Sequence, residues 1–323
     1  MKSYKGSKDF IVHKTHWPEN IVIGQAVNKA DLITNIPKST LKRDAIGIVL
    51  GSPIFRDSTI IAKSSTKENV KQVRKYFYSL FGLNDHEIVP SQYWLFDDGI
   101  SSNDFKTIFD PSVGHVKDKI ISNLEYSQKD TVDLFVYISG EGTTFNGKKV
   151  ILPFDANLSK SSSFYYVDDL YSNLSKIQAM PDVGEITLFM DVDFNNPAFV
   201  QNLEKKVEIV EKKGKKKKEE PEEPIVLLPK EIMPPKSITA FFASNTTQLA
   251  YEHPDYDNSM FTYFLLKGMR GEADNGDKSL TVSELYNYVQ KNVEDKTKVL
   301  YNDLPQVPIL YTSTPDRVLY NLP

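Results

Sequence analysis

The sequence contains no cysteine among its 323 residues. This absence excludes disulfide bonds, thiolate metal sites and a cysteine nucleophile, and it leaves the redox compartment open. Long hydrophobic runs are also absent, because no window approaches the roughly 18 uninterrupted apolar residues of a membrane span. The N-terminal residues lack the apolar core of a signal peptide. We therefore predict a soluble chain without a membrane span, whose compartment is unknown.

An excess of positive charge is missing as well. The net charge is −4 and the sequence pI is about 5.8. The overall charge therefore gives no support for a nucleic-acid partner. Neither GxGxxG nor GxxxxGK[ST] occurs, and nucleotide binding has no support. What remains is a composition of 40% hydrophobic and 25% charged residues, which is ordinary for a globular protein. The length fits one large domain or two smaller ones.

Short apolar runs alternate with amphipathic segments along the chain. The runs predict strands, and the segments between them repeat apolar residues at helical spacing. Helices between successive strands indicate crossover connections. We therefore predict a three-layer α/β/α sandwich, in which a mainly parallel sheet of about six strands carries helices on both faces. The predicted strands are residues 45–51, 93–96, 134–139, 185–192, 238–244 and a last one within 305–313. The predicted helices cover residues 65–81, 113–124, a segment that starts at 168, 260–269 and 280–293.

The first predicted helix has both of its ends marked in the sequence. Ser65 and Glu68 have the spacing of a capping box, and Gly82 is placed to end the helix. Acidic residues follow two of the predicted strands, where sites form in parallel sheets. The sequence Ser139-Gly140-Glu141-Gly142 predicts a tight turn that presents the Glu141 carboxylate. The second acidic stretch begins at Asp191 and contains Asp193.

Composition divides the chain into segments. Residues 1–43 have weak periodicity and are predicted to be an N-terminal extension, with a short edge strand at 20–23. Residues 44–323 form the predicted domain. Within it, residues 203–236 are rich in Lys, Glu and Pro, and such a segment buries too little apolar surface to offset its ordering entropy. We predict a flexible surface insertion there. A solvated linker is favoured over a partner-docking or cleavable loop.

Several motifs follow one another along the chain in the order that is typical of the caspase-like cysteine peptidases. The chain resembles especially the bacterial and metacaspase-type members of that family. Residues 139–142 match the Ser-Gly-His-Gly that supplies the catalytic histidine. Residues 191–196 match the Asp-x-Cys-x-Ser-Gly that supplies the nucleophile, and 52 residues separate Glu141 from Asp193, close to the family spacing of about 50. The stretches ILPFDAN, FFASNTTQLAYE and NSMFTYFLLKGMRGEADNGDKSLTVSELYNYV also resemble family segments. The resemblance implies a large-subunit-like part at 44–202, a variable linker at 203–236 and a small-subunit-like part at 237–323.

Both members of the catalytic pair are replaced in this chain. The family mechanism needs a thiolate that attacks the carbonyl and an imidazole that moves protons. Asp193 is a poor nucleophile toward an amide, and Glu141 replaces histidine only if its pKa is strongly raised. The resemblance therefore implies the caspase fold without its chemistry, in a pseudopeptidase that binds a peptide or a protein or serves as a scaffold. The alternative is a hydrolase with changed, carboxylate- or metal-dependent chemistry at Glu141 and Asp193.

The groove that the resemblance implies is acidic. Its acidic lining predicts a preference for basic peptides. A simpler expectation, which we favour over new chemistry, is that the carboxylates are polar residues at a solvent-open rim. The candidate groove residues are Gly140, Glu141, Gly142, Asp191, Asp193 and Ser244.

A calcium loop is a second and weak candidate for a metal site, separate from Glu141 and Asp193. Asn275, Asp277 and Glu284 have the spacing of positions 3, 5 and 12 of an EF-hand loop. Ala273 and Lys278 stand where that pattern needs its first ligand and its glycine. We favour a polar turn in which a Ser or Thr caps the next helix, and we expect no cofactor.

Overall fold

A computed structural model describes residues 32–38, 44–91, 99–125, 130–196, 233–245, 247–301 and 304–323. Ten strands and six α-helices lie in these residues. The strands are β1 (Ala45–Gly51), β2 (Ile88–Val89), β3 (Val132–Phe145), β4 (Lys148–Ile151), β5 (Tyr165–Tyr166), β6 (Val183–Asp193), β7 (Ile238–Phe242), β8 (Ser279–Thr281), β9 (Ile309–Tyr311) and β10 (Val318–Asn321). The helices are α1 (Thr66–Phe81), α2 (Ser102–Phe109), α3 (His115–Leu124), α4 (Val167–Gln178), α5 (Met260–Lys267) and α6 (Val282–Leu300). Among these residues, no helix is long and apolar enough to cross a membrane.

The central sheet has the strand order β2-β1-β3-β6-β7-β9. Its first five strands are parallel, and β9 pairs antiparallel with β7. Two hydrophobic clusters cover the sheet, because alternate side chains of a strand point to opposite faces. One cluster joins Ile48 of β1 to α2, α3 and α4. The other joins Val49 of β1 to α1, α5 and α6. The predicted three-layer sandwich with a mainly parallel sheet is therefore confirmed.

The predicted strands agree with the observed ones where the structure describes them. Apolar runs at residues 45–51, 134–139, 185–192 and 238–244 coincide with β1, β3, β6 and β7, and β9 lies within 305–313. The strand predicted at residues 93–96, the edge strand predicted at 20–23 and most of the Lys/Glu insertion lie outside the described residues. Helix α2 was not predicted, because its eight residues offer too few turns for a periodic pattern.

The predicted turn at Gly140-Glu141-Gly142 is wrong, because β3 runs on through these residues to Phe145. Two partners extend the strand. On one side Glu141 is in register with Asp193 of β6, and on the other Gly142 is in register with Ile151 of β4. Gly140 has φ near +151°, a conformation that residues with a Cβ rarely adopt. The glycine thus permits the strand to continue where the motif suggested that it would stop.

The predicted capping box at Ser65 is also wrong. The Ser65 hydroxyl makes no cap bond to α1, and its backbone N–H donates instead to Glu252 Oε1 at 2.8 Å. The Glu68 carboxylate accepts from Gln72 one turn later, at 2.9 Å. Glu252, 187 positions along the chain, therefore accepts the Ser65 N–H that Glu68 would accept in a capping box. Gly82 ends α1 with φ near 65°, as predicted.

Candidate functional site

Glu141 and Asp193 come together at the carboxyl ends of the two central strands. They are register partners on β3 and β6, so their side chains leave the same face of the sheet. Only 2% of Glu141 and 5% of Asp193 is exposed. The expectation of a solvent-open rim is therefore wrong. Ser244, Gly140 and Gly142 are buried too, so the predicted groove residues are covered in this structure.

Lys63 is the residue of this site that sequence reasoning missed. It lies just before α1, is 8% exposed, and its ammonium donates a hydrogen bond to the Ala250 carbonyl at 2.8 Å. Burial lowers the pKa of Lys63, but the charges of the nearby carboxylates outweigh it and raise the pKa overall. The ammonium therefore stays charged inside the protein. The acidic residues that act on it are Asp193, Glu141, Asp191 and Glu252.

Burial raises the pKa of Glu141 to about 7. The Lys63 charge opposes this rise, and the negative charge of Asp193 adds to it. Asn196 Nδ2 also donates to Glu141 Oε2, at 3.4 Å, which favours the ionised form. Glu141 is consequently divided between its protonated and ionised forms near neutral pH.

Burial raises the pKa of Asp193 as well. The Lys63 charge and the backbone N–H groups of Asn195 and Ala250 oppose this rise, whereas Asp191 adds to it. The N–H of Asn195 lies 2.9 Å from Asp193 Oδ1. Asp193 thus has fixed donors from the protein backbone, whereas the Glu141 carboxylate has the side-chain amide of Asn196.

Asp191 lies deeper in the same face and is 1% exposed. Its Oδ2 atom accepts hydrogen bonds from helices α1 and α5 and from β3. The donors are Asn69 at 3.2 Å, Thr262 at 2.6 Å, Tyr137 at 3.4 Å and the hydroxyl of Ser259. Asp191 therefore joins β6 to both helices on this face. The structure places it behind Glu141 and Asp193, in the core.

Two loops meet above these carboxylates. Residues 63–65 contact residues 250–252 through the Lys63 ammonium and through the Glu252 carboxylate, which accepts from the Ser64 hydroxyl at 2.9 Å and from the Ser65 N–H at 2.8 Å. The Tyr301 hydroxyl donates to the Glu252 carbonyl at 3.1 Å, and the rings of Tyr251 and Tyr301 stack at 3.9 Å. These contacts hold the two loops together over the strand ends.

Among the candidate calcium residues, Asn275 and Asp277 lie in a separate turn before α6 and Glu284 lies in the first turn of α6, and their side chains bond to the protein itself. Asn275 Oδ1 accepts from the Asp277 N–H at 3.1 Å, and Asp277 Oδ1 accepts from the Ser279 N–H at 2.8 Å. Glu284 and Thr281 form a capping box at the start of α6, which agrees with the polar turn that we favoured. Among the described residues, no group of three or more His, Asp or Glu side chains is arranged to hold a metal ion.

Comparison with known proteins gives a fold likeness and nothing finer. No protein-family model matches the chain, and no curated protein sequence matches it. Among solved structures, the chain is similar to caspase-1 from Spodoptera frugiperda, with 12% sequence identity and a TM-score of 0.43. That similarity covers 85% of this chain and 90% of the other. At this identity and score it assigns neither an activity nor a partner to the chain.

Proposed function

We propose that this protein is a catalytically inactive, caspase-like pseudopeptidase that acts by binding a peptide or a protein, or as a scaffold. One observation carries the proposal. The two positions that match the family's catalytic pair hold Glu141 and Asp193, buried side by side on adjacent strands near the Lys63 ammonium. In the family these two positions hold a cysteine and a histidine. Two carboxyl groups do not perform the chemistry of a thiolate and an imidazole.

The chemistry of these side chains argues against family-style proteolysis. Attack on an amide needs a strong nucleophile whose proton is taken up by a positioned base. A carboxylate such as Asp193 is a weak nucleophile, and it already accepts backbone hydrogen bonds. No cysteine exists anywhere in the sequence to replace it. The charge of Lys63 also favours the ionised form of both carboxyl groups.

The charge of the site supports a basic partner. Four carboxylates act on the single ammonium of Lys63, so negative charge exceeds positive charge at these strand ends. These carboxylates are buried beside the loop of Lys63, so a basic peptide would reach them, and would be favoured by their charge, only when that loop opens. The partner that fits this site is therefore a peptide or protein segment rich in Lys or Arg.

A peptide-library assay tests the proposal. The purified protein is incubated with a broad peptide library beside the double variant Glu141→His/Asp193→Cys, which restores the family pair. We expect no cleavage by the wild type and detectable cleavage of peptides by the double variant. Binding of library peptides to the wild type is measured in the same experiment by fluorescence anisotropy. Wild-type cleavage that is lost in Glu141→Gln would overturn the proposal.

A carboxylate-dependent hydrolase is the second candidate function, and the pKa of Glu141 is the observation that favours it. A pKa of about 7 is close to the optimum for a general acid or base at neutral pH. The adjacent Asp193 would serve as the second carboxylate. This candidate predicts wild-type hydrolysis that depends on Glu141, or on added Ca²⁺, Mg²⁺ or Zn²⁺. If no hydrolysis depends on Glu141 or on an added metal ion, this second candidate function is excluded.

A further inference from the structure

We infer that a cavity at the start of α2 binds the phosphate group of a phosphomonoester. The cavity has a volume of about 530 Å³ and lies between residues 56–57, the first turn of α2 and residues 155–163. That volume falls in the range of small-molecule pockets, which is about 300–1,000 Å³. The residues that line it are separate from the groove of Glu141 and Asp193, so the inference does not depend on the proposed function.

Two positive charges line this cavity without an acidic partner. The Arg56 guanidinium and the Lys160 ammonium make no hydrogen bond or ion pair within the part of the chain that the structure describes. The guanidinium carbon lies 5.2 Å from the centroid of the Phe154 ring, a contact that holds a guanidinium against an aromatic face. Both side chains are exposed, so a ligand can reach them from solvent. The cavity therefore offers two unpaired cations to an anion.

The two carboxylates that line the cavity have partners of their own. Asp155 Oδ1 accepts the Ser102 N–H at 2.6 Å, and Asp155 Oδ2 accepts the Ser102 hydroxyl at 2.9 Å. Asp57 Oδ1 accepts the N–H of Thr59 at 3.0 Å and its hydroxyl at 2.6 Å. These bonds hold the carboxylates with neutral donors and leave both cations of the cavity to a ligand.

Hydrogen bonds hold the walls of the cavity in place. The Arg56 N–H donates to the Phe154 carbonyl at 2.9 Å, and the Ser163 N–H donates to the Lys160 carbonyl at 2.9 Å. The Ser163 hydroxyl also accepts the Asn157 N–H at 2.9 Å. The backbone of both segments that carry the cations is therefore fixed, and a ligand has to order little more than the side chains that bind it.

The donors of the cavity match a phosphomonoester in charge and in number. A phosphomonoester carries close to two negative charges near neutral pH and has three acceptor oxygens. A guanidinium binds two of these oxygens with its planar fork, whereas an ammonium acts as a point charge. Ser162 also lines the cavity, and its hydroxyl is a further donor. A carboxylate ligand has a single charge and two oxygens, so it would leave one cation of the cavity unpaired.

Isothermal titration calorimetry with inorganic phosphate and with O-phosphoserine tests the inference. We expect the wild type to bind both probes in a saturable manner and not to bind serine. Arg56→Gln and Lys160→Gln should each raise the Kd of O-phosphoserine about tenfold, because each removes a charge-assisted hydrogen bond. Asp57→Asn should lower the Kd, because it removes a negative charge from the wall of the cavity.

Lys176→Gln is the matched control, because it removes one exposed lysine of α4 that does not line the cavity. Its Kd should equal that of the wild type when all titrations are made at equal ionic strength. An equal rise of the Kd in Lys176→Gln would overturn the inference in favour of a general effect of charge. Failure of the wild type to bind either probe at millimolar concentration would overturn it outright, as would an unchanged Kd in both cavity variants.

A phosphoserine peptide distinguishes two sources of the phosphate group. If an acetylated, amidated peptide with one central phosphoserine binds at least tenfold more tightly than free O-phosphoserine, the source is a phosphorylated protein segment. Equal or weaker binding of the peptide identifies a small phosphorylated molecule as the source. In either case Arg56→Gln should weaken the binding, and binding that does not respond to Arg56→Gln lies outside the cavity and contradicts the inference.

Discussion

Glu141 and Asp193 are register partners on adjacent parallel strands, and both carboxylates are buried on one face of the sheet. Burial raises the pKa of Glu141 to about 7, the Lys63 ammonium opposes this rise, and the charge of Asp193 adds to it. Protonation at this pair therefore links the stability of the fold to pH.

Glu141→Gln should become more stable than the wild type as the pH rises. The folded-state pKa of Glu141 is about 7, and its ordinary value is 4.5, so the folded protein binds the proton more tightly than the unfolded chain does. Wild-type stability is therefore lost as the pH rises from about 4.5 to about 7. Between pH 5 and pH 8, we expect the variant to gain about 2–3 kcal/mol relative to the wild type. Urea unfolding at the two pH values measures this difference. A difference that does not change with pH would contradict the assigned burial of Glu141.

Lys63→Met should destabilise the protein, and more so at high pH. The substitution keeps an apolar stem and removes the charge that opposes the pKa rise of Glu141 and Asp193. We expect a loss of about 3 kcal/mol at pH 8, because buried carboxylates are left without a compensating cation. At pH 5 the loss should be smaller, since protonation replaces the missing charge.

Lys63→Arg is the matched control, because it keeps a positive charge at the same position. Its stability should stay closer to the wild type than to Lys63→Met at pH 8. Equal losses in the Met and Arg variants would show that packing of the side chain, and not its charge, accounts for the effect. Urea unfolding curves of the three proteins at both pH values provide the comparison.

The two helix starts give a paired test of capping. Thr281 forms a capping box at α6, whereas Ser65 makes no cap bond at α1 and its hydroxyl is buried without a partner among the described residues. Thr281→Ala should therefore cost about 1 kcal/mol. Ser65→Ala should cost nothing or stabilise slightly, because it removes an unpaired buried hydroxyl. Equal losses, measured by thermal unfolding, would contradict the assigned geometry of Ser65.

His253 should make the protein sensitive to mild acid. Burial lowers its pKa to about 4, and the charge of Lys296 adds to this effect while Asp255 opposes it. Its Nδ1 atom accepts the Asp255 N–H at 3.2 Å, and the rings of Tyr256 and Tyr263 pack against it. The neutral ring is therefore the folded form, and the stability it supports is present above pH 6.5.

That stability should be lost as the pH falls from 6.5 toward 4, since the unfolded chain then binds a proton that the folded chain does not. Between pH 7 and pH 4.5 we expect a loss of about 2 kcal/mol from this group. The variant His253→Gln should lack this part of the acid dependence. If the free energy of unfolding falls equally with pH in the variant and in the wild type, the assignment of this acid dependence to His253 is refuted.

The layers of the fold were predictable from the sequence, because each depends on local pattern. Apolar runs such as residues 185–192 have the composition of strands buried on both faces, and the helix at 65–81 carries its own stop signal at Gly82. The pairing of Glu141 with Asp193 was predictable only through the family resemblance, since 52 residues separate them in the sequence.

The remaining features depend on contacts between distant residues. Lys63 belongs to the site because it meets Ala250, 187 residues away, and no local pattern marks such a lysine. The Ser65 backbone N–H, which Glu68 would accept in a capping box, donates to the distant Glu252 instead. The turn predicted at Gly140 became a strand because β4 supplies a partner that pattern alone does not reveal.

The length of β3 has a consequence for any ligand at these strand ends. Its 14 residues belong first to the central sheet and then to the hairpin with β4, and the Glu141 carbonyl accepts the Leu152 N–H at 2.9 Å. The backbone that carries Glu141 is thus fixed before a ligand arrives. A ligand that binds here orders little main chain, so the unfavourable conformational entropy of binding falls mainly on the loop of Lys63 and on the ligand itself.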